Sequence, residues 1–136
     1  MRFLLDSNTV NYILRAREPV LSAFEARTRG TAVFFVSDVV DYELRRYLEL
    51  KGAKRKLGLY EQLTELWVPV GLETAGWRLA ARLWADLHRD GRSIEDRDLL
   101  IAVTALQAQA TLVTSNTRHF QVVPGLDLED WQSLDD

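Results

Sequence analysis

Cysteine is absent from this chain of 136 residues, and the only histidines are His88 and His119. Disulfide bonds and thiolate zinc sites are therefore excluded, and a metal site would have to use mainly oxygen ligands. The longest apolar runs, such as residues 99–103, are far too short to cross a bilayer. The first residues lack the basic start and long apolar stretch of a signal peptide, so we expect a cytoplasmic protein.

A strong excess of positive charge is also missing, because the formal net charge is -3. This balance argues against broad electrostatic binding to nucleic acid. A local basic patch remains, and it is either a binding surface or a solvated helix face. The patch consists of Arg45, Arg46, Lys51, Lys54, Arg55 and Lys56. The length suits one domain over residues 1–136, and its 47% hydrophobic content is ordinary for a globular protein.

Four short apolar runs are continuous rather than alternating, which is typical of strands covered on both faces. They are residues 3–5, 33–36, 67–70 and 112–114, and a short further strand is expected at 126–128. Longer stretches with helical spacing separate these runs. The alternation predicts an α/β fold, a three-layer α/β/α sandwich with a mostly parallel sheet of four or five strands. Because Pro69 lacks an N–H donor, its strand is expected at an edge or to be irregular.

Two of the predicted helices have distinctive apolar patterns. Residues 98–109 are apolar nearly all round, which indicates a helix buried within the domain, with Asp96 as its expected N-cap. Residues 74–89 form an amphipathic pattern in which Trp77 and Trp84 lie seven residues apart. These two tryptophans are expected in the core or in the seam of a dimer.

Three acidic residues, Asp6, Glu43 and Asp98, stand at the expected end of a strand or near the start of a helix. Ligands of parallel sheets bind beyond the carboxyl ends of the strands, where these acids and Asn116 can meet. Burying carboxylates together costs several kcal/mol unless a positive charge neutralises them. A magnesium or manganese ion is the natural neutraliser for oxygen ligands. Such an ion activates water and stabilises phosphoryl charge, which is the chemistry of phosphodiester hydrolysis.

Each acid also has a simpler interpretation. Asp6 is a possible cap for the helix that starts near Thr9. Glu43 taken alone is better suited to a surface pair with Arg46 or Tyr47, and Asp98 is equally suited to an interaction with the helix macrodipole. An arrangement in which arginines pin the acids and leave no room for an ion would contradict the metal site.

Four segments in order carry a family likeness. They are Leu4-Leu5-Asp6-Ser7-Asn8, Tyr42-Glu43-Leu44-Arg45, the run from Asp98 to Ala105, and the run from Leu112 to Phe120. Together they resemble PIN-domain ribonucleases, and more narrowly the VapC-type toxins of toxin–antitoxin pairs. The resemblance extends over essentially the whole chain.

The resemblance implies a parallel sheet between helices and clustered acids that bind Mg²⁺ or Mn²⁺. It implies an endoribonuclease that cleaves single-stranded or loop regions of RNA. A cognate VapB-like antitoxin would block the site, and the toxin would form a homodimer.

Carried onto this sequence, the family pattern makes Asp6 and Asp98 the expected direct metal ligands. Glu43 is the third acid, which binds the metal directly or through water. Many relatives have a fourth aspartate where this chain has Asn116. An amide carries no charge, so the choice between one metal and two stays open.

The resemblance also suggests supporting roles around the acids. Asn8 and Thr114 are expected either to orient the acids or to make local turn hydrogen bonds. Arg118 is a candidate for contact with RNA phosphate, and so are Arg45 and Arg46 of the basic patch. His119 is interpreted as structural.

Two alternatives remain. One is a catalytically weak or inactive PIN-fold module that binds RNA or a partner, which the Asn116 substitution favours. The other is a haloacid-dehalogenase-like phosphatase, which the run from Asp6 to Val10 faintly resembles. Asn8 stands where that family has its second acid.

Overall fold

The computed structural model describes residues 1–133 as an alternation of strands and helices. The strands are β1 (Arg2–Leu5), β2 (Val33–Ser37), β3 (Val68–Val70), β4 (Thr111–Val113) and β5 (Leu128–Glu129). The helices are α1 (Ser7–Leu14), α2 (Val20–Thr28), α3 (Asp38–Leu50), α4 (Lys54–Thr64), α5 (Thr74–Arg89), α6 (Asp96–Ala108) and α7 (Thr117–Phe120), with a 3₁₀ turn at Trp131–Ser133.

All five strands form one parallel sheet in the order β3-β2-β1-β4-β5. Leu4 of the central strand β1 pairs with Phe35 on one side and with Leu112 on the other. The predicted α/β fold with a parallel sheet between helices is confirmed. Pro69 lies in β3, an edge strand, as its missing N–H predicts. The last strand is shifted from its predicted position, because Glu129 pairs with Val113.

The core lies between the sheet and the helices, and α6 is its most buried helix. Ile101, Ala102 and Val103 of α6 are fully buried, so the prediction of a buried helix is confirmed. The prediction that Asp96 caps this helix is wrong. Glu95 takes the N-cap position without a side-chain hydrogen bond, and Asp96 is already the first helical residue. The helix thus begins one residue earlier than a capping Asp96 would allow.

An aromatic cluster is built around Phe3 and Phe34, which are paired in β1 and β2. Phe34 stacks on Trp67 with ring centroids 5.7 Å apart, and Phe24 packs 5.1 Å from Phe34. Trp131 meets Phe3 edge to face at 5.5 Å. Such pairs add specific geometry to the hydrophobic burial of their rings. Two of the four tryptophans are therefore core residues.

The other two tryptophans are on the surface of α5, with Trp77 56% and Trp84 45% exposed. They line a shallow apolar pocket between α5 and α6 that also includes Leu99 and Leu100. The expected dimer seam at this face stays a prediction. None of the helices in the described part of the chain is both long enough and apolar enough to span a membrane.

Candidate active site

Asp6 lies directly after the central strand β1, where the chain turns into α1. Its backbone is extended, and its Oδ1 accepts a hydrogen bond of 2.8 Å from Ser7 N, so Asp6 caps α1. The other oxygen, Oδ2, accepts a bond of 2.9 Å from Thr114 Oγ1 at the end of β4. Both residues are fully buried. The Asp6 carboxylate therefore caps α1 and is also tied to the end of β4.

Glu43 and Asp98 reach the same end of the sheet from two helices. Ser37 caps α3 by accepting a bond from Val40 N, which fixes the start of the helix that carries Glu43. Asp98 is in the first turn of the buried helix α6 and is itself buried. The structure thus brings together Asp6, Glu43 and Asp98 from three different elements.

One guanidinium group connects the three acids. Arg97 Nη2 is 2.7 Å from Asp6 Oδ1, its Nε is 2.7 Å from Glu43 Oε2, and its Nη1 is 2.8 Å from Asp98 Oδ1. Nη2 also donates to Ser7 Oγ at 3.0 Å. Glu43 therefore pairs with Arg97 and not with Arg46 or Tyr47.

The environment of Arg97 keeps its guanidinium positively charged. Burial by itself would lower the pKa of Arg97, but hydrogen bonds to Glu43, Asp6 and Asp98 outweigh it and raise that pKa above its usual value. One positive charge still faces three carboxylates, so the cluster keeps a formal excess of negative charge. Arg97 is not among the site residues predicted from the sequence. The only local signal was its position between Asp96 and Asp98 at the start of a helix.

The fit of this cluster to a metal ion depends on Arg97. Within residues 1–133, no group of three acidic or histidine side chains is arranged so that it could hold a metal ion. The donor set is nevertheless made of carboxylate oxygens, which suit a hard dication. Glu43 Oε1 is buried and has no hydrogen-bond partner, so one ligand atom is free to accept a positive charge. The residues fit Mg²⁺ or Mn²⁺ provided that the guanidinium moves away from them.

Open space lies next to the cluster, on the side of Asp98. A pocket of about 350 Å³ opens beside Asp98, and its lining includes Arg118 and His119. The Arg97 side chain is 29% exposed, so its guanidinium is not sealed inside the core. His119 Nδ1 is 3.4 Å from Asp98 Oδ2. The acids are thus pinned by an arginine, but they border open space.

The supporting residues named from sequence differ in their contacts. Thr114 touches Asp6 and also accepts a bond of 3.1 Å from Asn116 N. Asn8 Oδ1 accepts a bond of 3.3 Å from Ser115 N, so it ties α1 to the loop after β4. The Asn116 side chain is exposed at the start of α7 and makes no cap bond.

The candidate RNA-binding arginines lie on two surfaces. Arg45 is bonded to Asp41 at 3.0 Å, and Arg46 covers the ring of Tyr42 at 5.0 Å, both along α3. Arg118 is exposed on α7, beside the pocket that borders Asp98. Only Arg118 therefore adjoins the acid cluster through a shared pocket.

Comparison with known proteins gives this geometry a family. The sequence pattern of the PIN domain matches residues 3–126. The chain belongs to the PIN domain family. This membership confirms the resemblance seen in the sequence and excludes the phosphatase alternative. Ribonuclease VapC1 of Haemophilus influenzae is 29% identical over 96% of this chain and 98% of its own length. The tRNA(fMet)-specific endonuclease VapC of Salmonella typhimurium is 26% identical over the same shares.

Solved structures show the same fold. DNA-bound VapBC from Salmonella typhimurium aligns with a TM-score of 0.83 at 26% identity, over 96% of this chain and 98% of that one. VapBC2 from Rickettsia felis, bound to a promoter DNA fragment, aligns with a TM-score of 0.86 at 24% identity, over 96% and 99%. The sheet and its helices are therefore those of known PIN-fold chains.

Proposed function

We propose that this chain is a metal-dependent endoribonuclease and the toxin component of a VapBC-type toxin–antitoxin pair. The observation that carries the proposal is the meeting of Asp6, Glu43 and Asp98 at the carboxyl end of the parallel sheet. Family membership over residues 3–126 supports it. So do full-length relatives named ribonuclease VapC.

In this proposal Asp6, Asp98 and Glu43 hold Mg²⁺ or Mn²⁺. When bound, the ion lowers the pKa of a water molecule and stabilises charge on the phosphate. The protein's own contribution is orientation. Thr114 donates to Asp6 Oδ2 and the Ser7 N–H donates to Oδ1, so the Asp6 carboxylate is fixed from both sides. Arg118 adjoins the acids and is proposed to contact a phosphate of the RNA.

Partners follow from the same comparisons and are part of the proposal. The neighbouring structures are VapBC complexes, so we propose a VapB-like antitoxin for this chain. We propose that the protein forms a homodimer, for which the exposed Trp77 and Trp84 supply an apolar surface. We also propose that Arg45 and Arg46 contact RNA and that the protein acts in the cytoplasm.

A catalytically weak or inactive PIN-fold module is the second candidate. Two observations favour it. Arg97 occupies the space between the acids, and Asn116 replaces the fourth acid. This candidate predicts RNA binding without cleavage.

The deciding experiment is cleavage of RNA by the purified protein with Mg²⁺ or Mn²⁺, and with a chelator. We expect cleavage that the chelator abolishes and that Asp6→Asn and Asp98→Asn each reduce to background. Asp86→Asn is the matched control, because Asp86 is bonded to Arg89 on the surface of α5. Circular dichroism verifies that each variant is folded. Undiminished cleavage by a folded Asp6 or Asp98 variant would refute the site, and RNA binding without cleavage by the unmutated protein would favour the inactive module.

A further inference from the structure

The Arg97 guanidinium donates a hydrogen bond to one oxygen of each of the three acids. Its bonds run to Asp6 Oδ1, Glu43 Oε2 and Asp98 Oδ1, all between 2.7 and 2.8 Å. These are the short distances of charge-assisted hydrogen bonds. The group therefore lies at the point toward which the carboxylates converge, where a shared dication would also have to lie.

The remaining oxygens offer no equivalent second position for an ion. Asp6 Oδ2 accepts from Thr114, and Asp98 Oδ2 faces His119. Glu43 Oε1 is without a partner, but it is a single atom. Within residues 1–133, no three acidic or histidine side chains are arranged to hold an ion while Arg97 is bound. The guanidinium already lies between the three carboxylates, so an ion shared by them has to displace it.

We propose that Arg97 is a positioning residue that acts as an internal competitor of the metal ion, and that metal binds only after the guanidinium leaves the acids. This inference rests on the proposed function. Before metal binds, Arg97 keeps the three carboxylates clustered by offsetting part of their repulsion. The apparent metal affinity is lowered by the fraction of molecules in which the acids are free.

Removal of the Arg97 guanidinium should lower the melting temperature without metal and raise the affinity for metal. Without metal, removal of the guanidinium leaves three clustered carboxylates uncompensated, so the protein unfolds at lower temperature. With metal, the same removal eliminates the competitor, so the ion binds more tightly. A purely structural arginine would give the first effect alone.

Two variants separate the effect of the positive charge from the effect of the forked hydrogen bonds. Arg97→Gln removes both the charge and the forked hydrogen bonds. Arg97→Lys keeps the charge, but a lysine ammonium cannot donate to three carboxylates through a rigid fork. The matched control is Arg89→Gln, since Arg89 pairs with Asp86 on the exposed face of α5.

The experiment measures Mn²⁺ binding by calorimetry on protein stripped with EDTA, and the melting temperature in EDTA. We expect both Arg97 variants to bind Mn²⁺ about tenfold more tightly or better, within the range typical of coupled binding events. Both variants should melt at a lower temperature in EDTA than the unmutated protein. Arg89→Gln should bind Mn²⁺ with unchanged affinity.

Three results would overturn the inference. If Arg97→Gln binds Mn²⁺ like the unmutated protein, the guanidinium does not have to leave. Weaker binding by Arg97→Gln would mean that Arg97 supports the ion instead of competing with it. If neither the unmutated protein nor any variant binds Mn²⁺, the metal site of the proposed function fails as well, whereas the first two results leave that site intact.

Discussion

The hydroxyl of Thr114 contacts the acid cluster through Asp6, and Thr114→Val removes this contact with almost no change in side-chain shape. In the folded protein Thr114 Oγ1 donates to Asp6 Oδ2 at 2.9 Å and accepts from Asn116 N at 3.1 Å. The first bond lies in the fully buried interior. The valine methyl group would therefore leave a buried carboxylate oxygen without its donor.

The expected cost follows from the two lost bonds. A hydrogen bond to a charged group contributes about 1.5–3 kcal/mol. The Asn116 N–H adds little, because Asn116 is at the surface and water can replace the hydroxyl. We therefore expect Thr114→Val to lower the free energy of unfolding by about 2 kcal/mol, or about 7 °C in melting temperature for a chain of this size. A less well oriented Asp6 should also reduce RNA cleavage by roughly 10–100-fold.

Thr104→Val is the matched control. Thr104 is also a buried threonine, but its hydroxyl donates to Leu100 O, a carbonyl of its own helix that the helical ladder already uses. Its loss should cost less than about 1 kcal/mol. Urea unfolding in EDTA measures both variants, and cleavage assays follow on the folded proteins. Equal destabilisation by the two substitutions would refute the claimed importance of the contact between Thr114 and Asp6.

Two further predictions concern stability away from the acids. Burial raises the pKa of Tyr60, and its 2.7 Å hydrogen bond to Asp41 raises it further, so Tyr60 stays neutral in the fold at pH values where an unfolded tyrosine ionises. This contribution is complete below about pH 10 and is lost as the pH rises further. The difference in melting temperature between the unmutated protein and Tyr60→Phe should therefore shrink from pH 8 to pH 11, and a constant difference would contradict the explanation. Leu112→Ala in β4 should lower the free energy of unfolding by about 2–5 kcal/mol, because Leu112 is fully buried beside β1. The control Leu66→Ala, at a residue 92% exposed, should change it by less than about 0.5 kcal/mol in the same urea titration, and similar losses in both variants would contradict the burial argument.

Much of the fold was predictable, because buried parallel strands and amphipathic helices leave strong local patterns. The helix α5 was predicted over residues 74–89 and is found at Thr74–Arg89. The position of β5 was missed by two residues at its start, since its register is set by pairing with Val113. That pairing joins two strands that are separated by α7, and no pattern within either strand reveals it.

The site was predictable only in its acids. Asp6, Glu43 and Asp98 were recognisable as carboxylates at strand ends and helix starts, and the fold brings them together. Arg97 was not recognisable, because an arginine flanked by Asp96 and Asp98 also suits a solvated first turn. Its role depends on elements more than fifty residues away, and only the three-dimensional arrangement reveals it.

The contact between Trp131 and Phe3 joins the far end of the described chain to its first strand. All three acids have been synthesised by residue 98, yet β1 still lacks its neighbour β4 and the covering indole. During translation, the nascent polypeptide therefore carries the three acids well before it can complete the sheet around them. Ribosome-bound chains stalled before residue 111 should consequently lack the hydrogen bond that fixes Asp6 from the side of β4.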